Sequence, residues 1–339
     1  MSKPDHPELQ ERQPLDEADG LIFACLLDGE GGAQRVGWEA VESWSPSRPP
    51  IWLHVNGSSE RVRTWLPTEG GLTEPTAGAM LSPESRPRVF HGSKGFVAIL
   101  RGVNLNPGSE VEDMVALRVW CDGRRLITVR EEKLRTVRDL FEHLVGVGDG
   151  PKTASDLFVA LIEQLTDRIG AVVVEYDDQL DAIEERAETD DPADLRRELG
   201  DLRQELVGLR RFLAPQREAL NRLGMEPPEW LDETHRLSLR EVIDRSQRFL
   251  EEIDTARERG LVLKDDVANR LNETLNNNMY ILSIVAAIFL PLSFLTGLLG
   301  INVGGMPGVD DADAFWITCA VLAVLLVVEL IIFRKLKWL

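Results

Sequence analysis

The sequence has only 3 cysteines, and no two of them form a Cys-x-x-Cys pair. Cys25, Cys121 and Cys319 lie far apart, which excludes a zinc ribbon or zinc finger and disfavours a disulfide framework. Positive charge is also scarce, because 38 Lys and Arg residues stand against 57 Asp and Glu residues, for a formal net charge of −19. Phosphate contacts need a basic surface, so we expect no nucleic-acid partner. An acidic protein of this kind suits contact with cations.

Charge of either sign is absent from a long stretch near the C-terminus, residues 274–309. Within it, residues 279–299 read MYILSIVAAIFLPLSFLTGLL, and a second apolar run at 314–333 carries one charge, Glu329. Each run is close to the roughly 20 residues that cross a bilayer core. Because the two runs are neighbours, we predict a hairpin of two transmembrane helices with the lipid bilayer as a partner.

The flanks of the two runs predict their orientation. Directly after the second run the chain turns basic, at Arg334, Lys335 and Lys337. The connecting loop has no Lys or Arg and carries three acids, Asp310, Asp311 and Asp313. Positive residues mark the cytoplasmic side, so both termini are expected in the cytoplasm and the acidic loop outside. There the three acids either concentrate cations or form an ordinary polar loop. The first 30 residues are too polar for a signal peptide, in line with a cytoplasmic N-terminus.

The first part of the chain has the pattern of an α/β domain. Short runs of β-branched and aromatic residues, separated by turn signals, predict strands at 21–27, 50–55, 88–92, 95–103, 115–121 and 125–130. Residues 58–66 predict a short helix. The region has no G-x-G-x-x-G or Walker sequence, so nothing in it indicates nucleotide binding.

From Thr153 onward the apolar spacing becomes helical. One helix is predicted up to the break at 190–192, a second over about 193–223 with Pro215 inside it, and a third from about Trp230. No proline follows until Pro291, so this third helix is predicted to run on into the first apolar span. The predicted organisation is a flexible N-terminus (1–18), an α/β domain (19–150), a helical stalk region (151–273), a first transmembrane helix (274–300), an outside loop (301–313), a second transmembrane helix (314–333) and a basic tail (334–339).

A seam of small, polar and flexible residues runs along one face of the first span. Its members are spaced by threes and fours, and they are Asn276, Met279, Ser283, Ala286, Leu290, Ser293 and Gly297. A repeat of 3.5 residues lets parallel helices pack about an axis. The seam therefore predicts either a pore lining or a tight helix–helix interface, where small residues are also favoured. Two spans cannot enclose a hydrated path, so a pore would need several copies of the chain.

The segment Gly300-Ile301-Asn302 at the outer end of that span carries a family resemblance. It is similar to the Gly-Met-Asn signature of the CorA-type divalent-cation transporters, and its Ile variant resembles their zinc-transporting ZntB branch. Further blocks resemble that branch, and together they cover most of the chain: 50–57, 84–90, 100–108, 112–120, 209–220 and 280–308.

The resemblance implies a funnel-shaped homopentamer whose stalk helix continues as the pore-lining span. It places a ring of Asn302 side chains at the outer mouth, where amide oxygens accept hydrogen bonds from a hydrated divalent ion without holding it too tightly. Gly300 would permit a sharp turn and Ile301 would pack behind the ring. Deeper positions that match the family's pore are Ser293, Leu290, Leu282, Met279 and Asn276. Asp265 matches a stalk position at which relatives bind regulatory metal, although a solvated charged face explains it better.

The resulting hypothesis is zinc transport across the bacterial cytoplasmic membrane, in the direction of uptake and with coupling to the proton gradient as a further expectation for this branch. Two alternatives stay open: a CorA-like magnesium, cobalt or nickel channel gated by intracellular metal, and a membrane-anchored metal sensor that conducts nothing. No cofactor is expected beyond the transported cation. No nucleophile–base pair is evident, so the chain is predicted not to be an enzyme. The histidines lack metal-ligand spacing and are expected to be structural.

Overall fold

The computed structural model describes residues 18–92, 94–300, 308 and 312–335. The chain groups into two compact units, the first formed by residues 1–190 and 197–263 and the second by residues 191–196 and 264–339. The sheet and the helices around it belong to the first unit.

A mixed seven-stranded sheet forms the centre of the first unit. Its strands are β1 Leu21–Leu27, β2 Ala33–Val36, β3 Ile51–Asn56, β4 Arg88–His91, β5 Phe96–Gly102, β6 Val115–Cys121 and β7 Arg125–Arg130. They lie in the order β2-β1-β3-β7-β6-β5-β4, and only the β3–β7 pair is parallel. All six predicted strands are confirmed. Strand β2 was not predicted, since its sequence AQRV has neither an apolar run nor a clear alternation.

The helices are α1 Trp38–Glu42, α2 Glu60–Trp65, α3 Glu74–Leu81, α4 Arg135–Gly146, α5 Ala154–Arg186, α6 Pro192–Met225, α7 Glu233–Leu299 and α8 Ala314–Lys335. The predicted α2, α5, α6, α7 and α8 are confirmed, whereas α1, α3 and α4 were not predicted. Helix α5 begins with a capping box in which Thr153 and Asp156 bond reciprocally to each other's backbone N–H. Pro215 lies inside α6, which continues through it.

The two faces of the sheet bury two separate apolar cores, because successive strand residues point to opposite sides. In β3, Trp52 belongs to the core that also contains Phe141 of α4 and Phe158 of α5. Its neighbour Leu53 belongs to the other core, with Trp65 of α2. The sheet is therefore covered on both sides, as expected of an α/β domain.

Ion pairs tie the first part of α7 to its neighbours within the first unit. The Arg259 guanidinium donates to Asp177, Asp181 and Glu184, which lie on successive turns of α5, at 3.0, 2.5 and 2.6 Å. Arg210 of α6 pairs with both carboxylate oxygens of Asp254, at 2.6 and 3.1 Å. Each exposed pair contributes little alone, but together they hold α7 against both helices.

Candidate ion-conduction site

Helices α7 and α8 contain the two apolar segments of the second unit. Helix α7 is unbroken over 67 residues, with Pro291 inside it, and would be about 100 Å long at 1.5 Å per residue. Both helices are long and apolar enough to cross a membrane, with mean hydropathy of 2.3 and 2.7 in their most apolar windows. The two predicted spans are therefore present as candidate membrane helices.

The apolar part of α7 has one partly shielded face. The shielded residues recur at helical spacing and are Ile284, Ala287, Ile288, Pro291, Leu292 and Leu295. A matching partly shielded stripe runs along α8 and includes Thr318, Leu322, Leu325 and Leu326. The two helices meet at a cavity of about 280 Å³, lined by Phe289, Leu292, Ser293 and Thr296 of α7 together with Leu322, Ala323 and Leu326 of α8. Leu292 belongs both to this cavity and to the shielded face, so the shielded face of α7 borders on α8.

Most of the predicted seam lies on the other side of α7, and Ser293 is the member that also lines the cavity shared with α8. All its members are exposed in the single chain: Asn276, Met279, Ser283, Ala286, Leu290, Ser293 and Gly297. At 100° per residue the seam and the shielded face are separated by roughly 150°. Met279 is 67% exposed and Leu290 72% exposed, and Leu282 at the edge of the seam is 69% exposed. The described part of the chain leaves the seam residues exposed, which fits either prediction, a pore lining or an interface.

Two hydroxyl groups show how polar atoms on this helix are satisfied. Ser283 donates its hydrogen to the Met279 carbonyl oxygen at 2.8 Å, and Thr296 donates to the Leu292 carbonyl oxygen at 3.0 Å. Each hydroxyl oxygen keeps acceptor capacity after donating to its own helix. Ser283 can therefore accept a hydrogen bond from a water molecule of a hydrated ion.

At the outer end of α7, Gly300 closes the helix by donating its N–H to the Thr296 carbonyl oxygen at 2.9 Å. A Cβ atom there would lie 3.1 Å from the same oxygen, so the close approach favours glycine. The signature residues Ile301 and Asn302, and Asp310 and Asp311 of the loop, lie outside the described residues. Asp313 is exposed just before α8, and its carbonyl oxygen accepts the Ile317 N–H at 3.0 Å.

Among the residues described, no group of three or more His, Cys, Asp or Glu side chains is arranged to hold a metal ion. Asp265 is exposed on α7. His54 is buried against the Thr128 hydroxyl at 2.9 Å, and burial, with a smaller contribution from Arg130, lowers its pKa to about 3. His235 lies between two carboxylates, with Nε2 2.8 Å from Asp156 and Nδ1 2.8 Å from Asp232. The two acids contact opposite nitrogens of one ring, so this arrangement links α5 to the start of α7.

The face of α8 that carries Glu329 was not predicted. The position of Glu329 in the sequence predicts an acid that is buried or near the inner interface, or one that snorkels to that interface, and in the structure it continues the shielded stripe of α8. Its Oε2 atom is buried and has no hydrogen-bond partner in the part of the chain that the structure describes. Spacing from Leu322 and Leu326 was the signal in the sequence that could have placed it on this face.

Comparison with known proteins identifies a family and several similar proteins. A family model described as "CorA-like Mg2+ transporter protein" matches residues 49–335. The divalent cation transporter CmaX of Pseudomonas aeruginosa is 42% identical over 324 residues, which cover 94% of this chain and 97% of that protein. The zinc transport protein ZntB of Yersinia enterocolitica is 30% identical over 324 residues, 95% of this chain and 97% of that protein. The solved structure of full-length CmaX matches with a TM-score of 0.81 and 40% identity, covering 94% of this chain and 98% of that chain.

Proposed function

Because the chain belongs to the CorA-like Mg2+ transporter family, and is thus a divalent-cation transporter and not an enzyme, we propose that it carries zinc into the cell through the central pore of a homopentamer. The pore is lined by the seam of α7, and the Asn302 side chains form a ring at its outer mouth. The protein lies in the bacterial inner membrane with both termini in the cytoplasm, as the basic residues after the second span favour.

The observation that carries this proposal is the separation of the two faces of α7. The α8 side is partly shielded and apolar, whereas the opposite side presents Ser283 between Met279 and Leu290, and the described part of the single chain leaves these three side chains exposed. A single exposed face cannot surround water, but the same face contributed by several copies can. Alternating polar and apolar rings would let an ion bind weakly and pass, with Met279 and Leu290 as constrictions.

Zinc is favoured by the relative named as a zinc transport protein and by the Ile301 variant of the signature. A second candidate, broader divalent-cation transport that includes magnesium, cobalt and nickel, is favoured by the higher identity to a relative named only as a divalent cation transporter. The chemistry of the seam supports this alternative too, because its oxygen donors lack the nitrogen and sulfur ligands that prefer zinc.

The test is zinc influx into proteoliposomes that enclose a zinc-sensitive dye, with and without an inward proton gradient and with excess magnesium as competitor. Wild type is compared with Asn302→Ala and with Asn221→Ala, a matched control on α6 far from the signature in sequence. Influx that is lost in Asn302→Ala only, resists magnesium and rises with the proton gradient supports zinc uptake.

Influx that magnesium blocks, and that ignores the proton gradient, supports the broader cation channel instead. If the folded wild-type protein passes no divalent ion, both transport proposals fail and the non-conducting sensor takes their place. Equal influx in Asn302→Ala and wild type contradicts the proposed Asn302 ring while leaving transport intact.

A further inference from the structure

The two apolar segments contain a single charged residue, Glu329, and its position on α8 is specific. Leu322, Leu326, Glu329 and Phe333 follow one another at spacings of four, three and four residues, so they form one stripe. The first two line the cavity shared with α7. Phe333, at 8% exposure, is the most buried residue of α8 in the described chain. Glu329 therefore lies on the side of α8 that is turned towards α7.

The surroundings of this carboxyl group offer it little compensation. Its Oε2 atom is buried, and no partner for it is found among the described residues. On α7, the stretch facing it in an antiparallel hairpin, from Met279 to Leu292, has one titratable residue, Tyr280. On α8 itself the next charged groups are Arg334 and Lys335, five and six residues on, or about 8 Å along the axis.

A carboxylate in such a place is costly, and intramembrane acids mark ion pathways and proton relays for that reason. Binding one proton turns the carboxylate into a neutral carboxyl group that packs among apolar side chains, and nothing else is consumed. Release of that proton to water restores the negative charge. The charged side chain is then most stable where it reaches water or the basic end of α8. Either movement changes how α8 packs against α7.

We propose that Glu329 is a proton-binding site of the membrane unit, and that its protonation sets the pH response of metal flux along the seam of α7. This inference rests on the proposed transport function. The cation does not touch Glu329. The residue acts through the packing of α8 against α7, so it is a positioning residue.

The experiment uses the full-length protein in proteoliposomes and measures metal influx at mildly acidic and mildly alkaline pH, equal on both sides of the membrane. Variants are Glu329→Gln, which is fixed in the neutral form, and Glu329→Asp, which can still bind a proton. Glu252→Gln on α7 is the control, because Glu252 is exposed in the first unit. A second readout needs no transport: the infrared difference spectrum between the two pH values, in which a protonated carboxyl group has its own carbonyl band.

We expect wild type, Glu252→Gln and Glu329→Asp to change their influx with pH. In Glu329→Gln the influx rates at the two pH values should be equal, so that their ratio is about one. Both rates should match the rate of wild type at acidic pH. Glu205, whose pKa is raised to about 7, contributes a carboxyl band in every variant, and the part of the band that comes from Glu329 should be lost in Glu329→Gln alone. The inference is overturned if Glu329→Gln keeps the pH response of wild type, or if wild type has none. If wild type shows no influx at either pH, the transport proposal is refuted on its own. The infrared band needs no transport, so it still decides whether Glu329 binds a proton.

Discussion

Gly170 of α5 lies directly against the ring of Phe249 on α7. A Cβ atom at Gly170 would overlap the tip of that ring and lie 3.0 Å from two further ring atoms. Such an approach is open only to a residue without a side chain. At this point in the first unit the backbone of α5 therefore packs against the aromatic ring of a residue on α7. The ion pair between Arg245 and Asp167 lies next to this contact.

The space around two helical glycines, Gly170 and Gly200, predicts opposite effects of their substitution by alanine on stability. Gly170→Ala should lower the free energy of unfolding by about 1–2 kcal/mol, because the ring has to move. A Cβ atom at Gly200 of α6 would meet nothing within 4 Å, so Gly200→Ala should raise that free energy by about 0.5–1 kcal/mol through helix propensity. Thermal unfolding of the two full-length variants in detergent measures both changes. Equal shifts in the two variants would contradict the proposed packing.

An acidic cluster at the α6 surface predicts a stability change near neutral pH. Burial, followed by the charges of Glu112, Glu110, Asp201 and Glu175, raises the pKa of Glu205 from 4.5 to about 7. Glu112 is held close to α6, because a Cβ atom at Gly208 would lie 2.9 Å from its Cγ. The folded state thus binds this proton more tightly than the unfolded state, and its stability falls as pH rises from 4.5 towards 7.

Glu205→Gln should remove this pH dependence and raise the free energy of unfolding at alkaline pH by about 1 kcal/mol, after allowance for solvent screening at a half-exposed site. At acidic pH the variant should match wild type. Glu218→Gln, an exposed acid on the same helix, is the control. Denaturant unfolding at several pH values tests this. An equal gain for Glu205→Gln at acidic and alkaline pH would argue against a titrating carboxyl.

The buried His54 predicts a second pH effect, of opposite sign. Its folded-state pKa is lowered from 6.5 to about 3, first by burial and then by Arg130. The unfolded chain binds a proton below 6.5 while the folded chain does not, so stability falls as the pH drops from 6.5 towards 3. At pH 5 the loss should reach about 2 kcal/mol. His54→Asn should be less stable than wild type at neutral pH, because it disturbs the hydrogen bond to Thr128. On acidification its free energy of unfolding should fall by less than that of wild type. An equal fall in both proteins, measured by denaturant unfolding at several pH values, would contradict this account.

Much of the fold could be predicted because its elements carry strong periodic signals. The runs that became β1, β5, β6 and β7 are short, apolar and bounded by turns, and α5 repeats its leucines at helical spacing. The elements that were missed, such as β2, α1 and α3, are short or lack a clear pattern. They are ordered by tertiary packing on the sheet, which local sequence does not encode.

The candidate site was predictable to a different extent. The seam could be identified from its spacing, yet spacing alone could not say which side of α7 faces α8. That depends on the stripe of Leu322 and Leu326, which belongs to another helix. The face of α8 that carries Glu329 was missed for the same reason, because a charge in an apolar run says nothing about the direction it faces.

The two faces of α7 predict different chemical accessibility. With Cys319 replaced by Ser, the remaining thiols of wild type are Cys25 and Cys121, which are both buried. Burial raises the pKa of Cys25 to about 12, and it also raises that of Cys121, so neither forms the reactive thiolate. In this background a new cysteine on α7 is the only reactive thiol of the described chain.

Ser283→Cys, on the seam, should react with a charged, water-soluble thiol reagent in reconstituted membranes. Divalent cation should slow the reaction, and the modified protein should lose metal influx, because the label occupies the proposed pore. Ile284→Cys, one residue on and on the shielded face, should react at least about tenfold more slowly, since thiolates form poorly away from water. Mass spectrometry measures labelling, and dye-loaded vesicles measure influx. Equal labelling at both positions, or labelling of Ser283→Cys that leaves influx intact, would place the ion path away from this face of α7.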